Sequence, residues 1–339
     1  MYDVMAIGNA LVDQEYVMSD EQLAMTNLTK GNMTLASSEE QAQLLNRFKE
    51  QKVISAKKAG GGSAANAIYA FARLGGKPYY ACRVGDDSEG RFYLHDLNEA
   101  GVATDESFAI SKTGETGTCV VAVTPDGERT MQTHLGTSSE IGTKNVDFTT
   151  LEQSDWLFLE GYLAMSDNFR PLIGKLRQQA GLRHAKIAVS FADPAVVNFG
   201  KEGLLEMLGN GVDVIFCNSE EARLFTGKKQ LKAAIRALMD HCDLAVVTDG
   251  ANDTCICKRQ ADDSLKFTPI TPPTVAEIID TNGAGDNFAG AFLYALSQHY
   301  SLKECGDLAA EVASKVVRQL GPRLSPHEYR DIARQVLVV

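Results

Sequence analysis

The sequence predicts an α/β protein: a mainly parallel central sheet, helices on both of its faces, and a small separate β-sheet. Three observations predict this. After residue 150, short apolar runs alternate with helical patterns, and strand–helix alternation of that kind builds parallel sheets covered on both sides. The first apolar run, Val4 to Ile7, stops at the small turn Gly8-Asn9, the sort of strand end where open sheets bind ligands. Two β-rich stretches, 12–36 and 104–136, do not follow the rhythm and are suited to pair with each other. The length of 339 residues fits one large α/β domain with a small appendage.

The elements follow in order. Ser37 or Ser38 before Glu39-Glu40 caps a helix that continues through Gln41 to Phe48. The run Gly60-Gly61-Gly62-Ser63 precedes an Ala-rich helix, Ala64 to Leu74, which Gly75-Gly76 stops. Tyr79 to Val84 is a strand, and Glu89 to Ala100 a helix closed by Gly101. Thr118 to Thr124 and Arg129 to His134 alternate about the turn Pro125-Asp126-Gly127 as a hairpin. Strands are expected at 156–160, 187–191, 214–217, 244–248 and 254–258. Helices are expected at 168–180, 204–208, 220–226, 231–239, 284–298 and 308–320.

Composition narrows the function classes. Hydrophobic residues make up 44% and charged residues 23%, ordinary for a globular chain with a sizeable core. The formal net charge of -11 repels nucleic-acid phosphates, and no Lys/Arg block offsets it. An anion site must therefore be built locally. No apolar stretch is long enough to cross a bilayer, and the N-terminal residues do not read as a signal peptide; a cytoplasmic protein that engages neither membrane nor nucleic acid is expected. The seven cysteines are scattered without a CxxC pair, which points to reduced structural thiols.

The chemistry concentrates in Asp280-Thr281-Asn282-Gly283-Ala284-Gly285-Asp286, a glycine-rich turn that opens an apolar helix. A helix start offers unpaired N–H groups and the positive end of its dipole. Glycines let that backbone approach an anion closely. Asp286 then lies in the first turn beside the anion site, where a carboxylate can take the proton of an attacking hydroxyl. The positive helix end is expected to keep it ionised. An ordinary capped helix is the competing reading of these residues alone. No GxxxxGK[ST] phosphate loop is present.

These residues resemble the C-terminal signature of the ribokinase (PfkB carbohydrate kinase) family. The N-terminal signature is matched as well, by Gly61-Gly62-Ser63-Ala64-Ala65-Asn66, Leu74-Gly75-Gly76, and Arg83-Val84-Gly85-Asp86-Asp87 with Gly90. The resemblance spans essentially the whole chain. Gly8-Asn9-Ala10-Leu11-Val12-Asp13 and the Asn in Asp280-Thr281-Asn282-Gly283 are similar to the adenosine kinase branch and its bacterial relatives. The resemblance implies a ribokinase-like three-layer α/β/α domain, here 1–11, 37–103 and 137–339, with a β lid over the acceptor site from 12–36 and 104–136.

It also implies an ATP-dependent kinase acting on the primary hydroxyl of a nucleoside or sugar, most similar to one for adenosine, and working as a monomer or homodimer. Asp286 is the implied base, with Gly283, Ala284 and Gly285 around the moving phosphoryl group. Asp13 is the implied ligand of two sugar hydroxyls, with Gly62 and Asn66 as further hydroxyl contacts. Asn9, Leu11, Gly61, Arg129 and Tyr162 complete the implied acceptor site. Asn218 and Glu221, from Asn218-Ser219-Glu220-Glu221, match an NxxE that acts near Mg2+ and the ATP phosphates, usually through water; a helix capping box reads these two residues equally well. Thr248 and Gly250 match a TxG that lines the nucleotide together with Gly283 and Gly285. Two departures stand out. Asp253 replaces a second glycine of the nucleotide loop, and Leu163 beside Tyr162 replaces one aromatic of a base-stacking pair. K+ bound through carbonyls near the 280–286 turn is a further implied cofactor. The rival readings are a free-sugar kinase and a catalytically silent sugar or nucleoside sensor on the same fold. A dinucleotide oxidoreductase lacks its GxGxxG here.

Overall fold

The first strand, Tyr2–Ile7, is the pivot of the architecture. Its residues Val4 to Ile7 are fully buried, as a strand covered on both faces requires. From it the chain leaves to pair with the edge strand Pro78–Ala81, then returns on the other side to Ser154–Glu160. The sheet extends through Lys186–Ser190, Val212–Asn218 and Cys242–Asp249 in parallel, and ends with Asn252–Arg259 and Leu265–Ile270, both antiparallel. The strand order thus reverses between Tyr2–Ile7 and Ser154–Glu160. Crevices at the carboxyl ends of strands form at such reversals. The computed structural model describes residues 1–337.

Two apolar layers sandwich this sheet. One contains the helices Ser63–Arg73, Ser88–Ala100, Ala284–Ser297, Leu302–Val316 and Pro326–Val336. The other contains Arg170–Arg183, Lys201–Leu208, Ser219–Thr226 and Leu231–Leu238. Alternate residues of each strand feed alternate layers: Val4 and Ala6 lie in the first, Met5 and Ile7 in the second. The result is a three-layer α/β/α fold.

A second, five-stranded sheet runs in the order Met33–Leu35, Arg129–His134, Gly117–Val123, Leu11–Val17, Lys57–Gly61. Leu11–Val17 pairs in parallel with Gly117–Val123 and antiparallel with Lys57–Gly61. The latter strand lies in a stretch that the sequence reading placed in the large part, because its glycines read as a turn. On Leu11–Val17, Tyr16 packs on Phe48 of the helix Ser38–Glu50, with ring centroids 4.8 Å apart. The opposite face of that strand carries Leu11, Asp13 and Glu15. Its neighbours there, Cys119, Val121 and Val123, pack with Leu11, Met131 and Leu320. Strand periodicity puts Asp13 and Glu15 on this face, where Asp13 meets Asn282 and Glu15 senses the charge of Asp280.

Several elements differ from the sequence reading. The strand Leu265–Ile270 and the helix Pro326–Val336 were not anticipated. Thr248-Asp249-Gly250 ends a strand that folds back directly into Asn252–Arg259. The last-but-one helix is Leu302–Val316, four to six residues earlier than its apolar pattern suggested, because Ser301 and Glu304 close a capping box ahead of the apolar run.

Candidate active site

The site is assembled by one close helix crossing. Gly290 of Ala284–Ser297 lies against Ala67 of Ser63–Arg73, so near that a Cβ on Gly290 would sit 1.9 Å from the Ala67 carbonyl oxygen. This contact brings the first turns of both helices together. Asp286 accepts from Ser63 Oγ at 2.7 Å through Oδ1 and from Asn66 Nδ2 at 3.0 Å through Oδ2. Burial raises the Asp286 carboxyl above its ordinary value, against those two hydrogen bonds and the charges of Arg129 and Arg323. The direction is opposite to the one the helix end alone suggests: desolvation dominates.

The helix start itself is open. Gly283 caps it in the left-handed region at φ 71, with Pro322 packed where a Cβ would go. Gly285 is exposed with nothing near its missing side chain. Among the described residues, neither the Gly285 nor the Asp286 N–H has a backbone acceptor. Asp280 braces the turn from below: it is fully buried, and it accepts from Asn282 N at 2.8 Å and Gly321 N at 2.9 Å.

Asp13 reaches the same place from the small sheet. It is 5% exposed and faces Gly61, where a Cβ would lie 2.1 Å from its Oδ1. Asn282 Nδ2 donates to Asp13 Oδ2 at 3.4 Å. Burial pushes the Asp13 carboxyl up to about 7; Arg323, Asn282 and Arg129 oppose this, and the charge of Asp286 adds to it. Gly62 adopts φ 96 with the Asn9 carbonyl beneath it, at 2.1 Å from a notional Cβ, so no side chain fits there. Leu11 pairs with Gly61 in the ladder.

Asn9 is held by a residue that sequence reasoning passed over. Glu160 ends the strand beside Tyr2–Ile7 and is completely buried. It accepts from Asn9 N at 2.7 Å, Asn9 Nδ2 at 2.8 Å and Ala64 N at 2.8 Å. Burial pushes Glu160 up to about 7 despite these donors. It locks the ends of two strands to the start of Ser63–Arg73. An acid closing an apolar run, Trp156 to Glu160, was the available signal. Ser63 stood out only as part of a motif, and Arg323 and Asn282 had no partner readable from spacing.

Arg129 bridges the hairpin to the turn. Its Nε donates to Thr281 Oγ1 at 3.1 Å and its Nη1 to Asn282 Oδ1 at 3.0 Å. Tyr162 lies in the short turn after Glu160 and donates to Asp193 Oδ2 at 3.1 Å. Leu163 is buried in the core. It therefore does not stand in for a stacking aromatic.

The remaining residues sit on neighbouring strand ends. Asn218 and Thr248 are direct partners in the parallel ladder, and Gly250 turns the chain at φ 60, exposed. Asn218 and Glu221 form a full capping box: Asn218 N and Nδ2 donate to Glu221 at 2.9 and 2.7 Å, and Glu221 N donates to Asn218 Oδ1 at 2.8 Å. Burial pushes Glu221 up to about 7, with Asp193, Glu220 and Asp286 adding to the effect. Asp253, just after the Gly250 turn, accepts from Thr271 Oγ1 at 2.7 Å. No three acidic, His or Cys groups converge as a metal cage among the described residues. Mg2+, which commonly keeps several of its waters, fits this arrangement only through water, since both Glu221 oxygens already hold Asn218.

A turn with free amides, a carboxylate beside it and a second buried carboxylate nearby are the kinds of group a phosphoryl-transfer site uses. Comparison with known proteins gives the family. The profile of the pfkB family carbohydrate kinases matches residues 33–328. The structure of an adenosine kinase from Sinorhizobium meliloti superposes with a TM-score of 0.89 and 30% identity, covering 98% of this chain and 99% of that one. A probable sugar kinase from Rhizobium etli CFN 42 gives 0.90 and 30%, covering 100% and 99%. Adenosine kinase 2 of Arabidopsis thaliana is 25% identical over 345 residues, 94% of each chain. The chain belongs to the PfkB family of carbohydrate kinases, with the ribokinase fold. It is an ATP-using kinase of the class that phosphorylates sugars or nucleosides. No helix among the described residues is long and apolar enough to cross a membrane.

Proposed function

We propose that the acceptor is adenosine or a related nucleoside, phosphorylated on its primary hydroxyl with Asp286 as general base. The observation that carries the reading is Asp286 itself: a carboxylate held at both oxygens by Ser63 and Asn66, next to the free amides of the helix it begins. The acceptor's sugar hydroxyls meet Asp13, the Gly62 backbone and Asn66; Asn9, Leu11 and Gly61 line the same cleft. Asp286 takes the hydroxyl proton as the oxygen bonds to the terminal phosphorus. The bond from phosphorus to the bridging oxygen breaks, and ADP leaves. The N–H groups of Gly283 and Gly285, with that of Ala284 once it leaves its 3.4 Å contact with the Thr281 carbonyl, stabilise the charge on the moving phosphoryl group. Arg129, now on Thr281 and Asn282, is within reach of that charge.

ATP lies along the strand ends at Asn218, Thr248 and Gly250. Mg2+, when bound, screens the phosphate charge, held through water by Asn218 and Glu221. The segments 12–36 and 104–136, with the strand Lys57–Gly61, act as a lid that excludes water. A nucleoside is favoured by Leu11 and Tyr162, which offer apolar and aromatic surface to a base; overall similarity does not separate the readings, since an adenosine kinase and a probable sugar kinase are each 30% identical. A free sugar is the second reading. It is favoured by Leu163, which is turned into the core and leaves Tyr162 without an adjacent aromatic.

ADP release with ATP–Mg2+ against adenosine, guanosine, inosine, cytidine, ribose and fructose decides between them. Adenosine is predicted to give the highest kcat/KM; turnover with ribose or fructose and none with nucleosides selects the sugar reading. Replacing K+ by Na+ in the same assay reads the cation requirement that the resemblance implies. Sedimentation of the same preparation distinguishes monomer from homodimer.

A further inference from the structure

We propose that Arg323 is a positioning residue for phosphoryl transfer: its Nε–H fixes the Asn66 amide so that Nδ2, not Oδ1, faces Asp286. The proposal rests on the reading of Asp286 as the base. Arg323 Nε donates to Asn66 Oδ1 at 3.1 Å, and Asn66 Nδ2 donates to Asp286 Oδ2 at 3.0 Å. The two ends of an amide are nearly the same shape, so Asn66 can turn over at little steric cost. A guanidinium has donors and no acceptor. It therefore admits only the amide oxygen, which leaves the NH2 group for the carboxylate. In the turned-over state a carbonyl oxygen faces Asp286 and an NH2 group faces Arg323, and both contacts repel.

Arg323 is itself held rigidly. It is 8% exposed, is ion-paired with Asp96, and lies over the Tyr69 ring with its guanidinium carbon 4.5 Å from the centroid. Gly60 makes room, since a Cβ there would come 2.7 Å from Asp96 and 2.8 Å from Arg323. The loop carrying Arg323 is tied to the turn and its helix at two points: Gly321 N donates to Asp280 Oδ2, and Asn287 Nδ2 donates to Pro322 O at 2.7 Å. One donor, Nη2, is buried without a partner. An orphaned donor costs stability, and apolar replacements of buried ion pairs are often no less stable. Stability alone therefore gives no reason for arginine here. Its positive charge also opposes the effect of burial on Asp13, where it is the largest opposing influence, and on Asp286. The same three-part device recurs across the cleft, where Arg129 donates to Asn282 Oδ1 and Asn282 Nδ2 donates to Asp13.

The charged groups acting on Asp286 or sensing it are Arg129 from the hairpin, Arg323 from the C-terminal loop, Asp13 from the small sheet, Glu160 from the central sheet and Glu221 from Ser219–Thr226. The test is a titration of protein labelled with 13C at the aspartate carboxyls. The Asp286 resonance is assigned by its loss in Asp286→Asn. In Arg323→Met its midpoint is predicted to move to higher pH. Turnover with ATP and adenosine or ribose is predicted to fall at least tenfold at neutral pH, to recover in part as pH rises, and to keep the wild-type KM for ATP. Arg323→Lys retains the charge and the donor-only character and is predicted to restore the midpoint and most of the turnover. A folded Arg323→Met protein with the wild-type midpoint and turnover within twofold overturns the proposal. If that variant does not melt cooperatively, Arg323→Gln takes its place, because its amide can donate or accept and so leaves Asn66 free to turn over; a wild-type midpoint and turnover there overturns the proposal instead. Turnover that survives in Asp286→Asn removes the base assignment alone, because the titration reads the coupling of Arg323 to Asp286 without any reaction.

Discussion

At the scale of single residues, the site is governed by carboxylates held away from water and kept in use by neighbouring donors. Asp13, pushed up to about 7, and Asp286, raised by burial, both act ionised in the proposed reaction. Below that range protons compete with the acceptor. The predicted kcat/KM profile therefore falls as pH drops through about 7, and a profile flat between pH 5 and 8 contradicts this. Asp13→Asn keeps the shape and loses half of the hydroxyl-accepting capacity. It is predicted to raise the acceptor KM at least tenfold, with a smaller change in kcat, as read from initial rates. Asp13 and Asp286 were visible in the sequence because each stands inside a long motif. Glu160 and Arg323 were not: their partners lie 151 and 257 positions away, a relation that only the folded backbone creates.

Among the elements, glycines set the distances. Gly290 lets Ala284–Ser297 touch the Ala67 carbonyl, and that approach delivers Asp286 to Ser63 and Asn66. Gly290→Ala forces the two helices apart. Overpacking of this kind costs about 1–3 kcal/mol, so a lowered melting temperature together with reduced kcat is expected; a variant equal to wild type in both shows that the crossing does not position the base. The helix pattern around this glycine was legible in the sequence, as were the Ala-rich helix and the hairpin. The strand Lys57–Gly61 was not, since Lys57-Lys58-Ala59-Gly60-Gly61 has no apolar alternation. It fits as a strand because Gly60 gives room to Asp96 and Arg323 on one face and Gly61 to Asp13 on the other.

For the molecule as a whole, the parallel rhythm after residue 150 was enough to read the layered fold, because each buried strand is a continuous apolar run. The antiparallel edge was harder to read, as Leu265–Ile270 is interrupted by Lys266, Thr268 and Pro269 and only Ile270 is fully buried. The join between the two sheets carries a cost that the sequence hid. Glu15 is 1% exposed, and neither carboxylate oxygen has a hydrogen-bond partner. Burial, then the charges of Asp280 and Asp13, push it up to about 8. A raised carboxyl binds its proton more tightly folded than unfolded, so its contribution is intact at low pH and is lost as pH rises through about 8. Each tenfold gain in proton affinity on folding is worth about 1.4 kcal/mol before solvent screening. Glu15→Gln is therefore predicted to raise the melting temperature by a few degrees at about pH 8.5, and to change it little at about pH 4.5. Equal effects at both pH values contradict the assignment.

Function turns above all on whether the carboxylate opening the helix Ala284–Ser297 removes the acceptor's proton. The most direct measurement is the turnover number of Asp286→Asn, taken with the acceptor the wild type prefers and with ATP binding measured alongside. The predicted result is a kcat lower by several orders of magnitude with ATP affinity within a few-fold of wild type. A variant that turns over within tenfold of wild type contradicts the assignment.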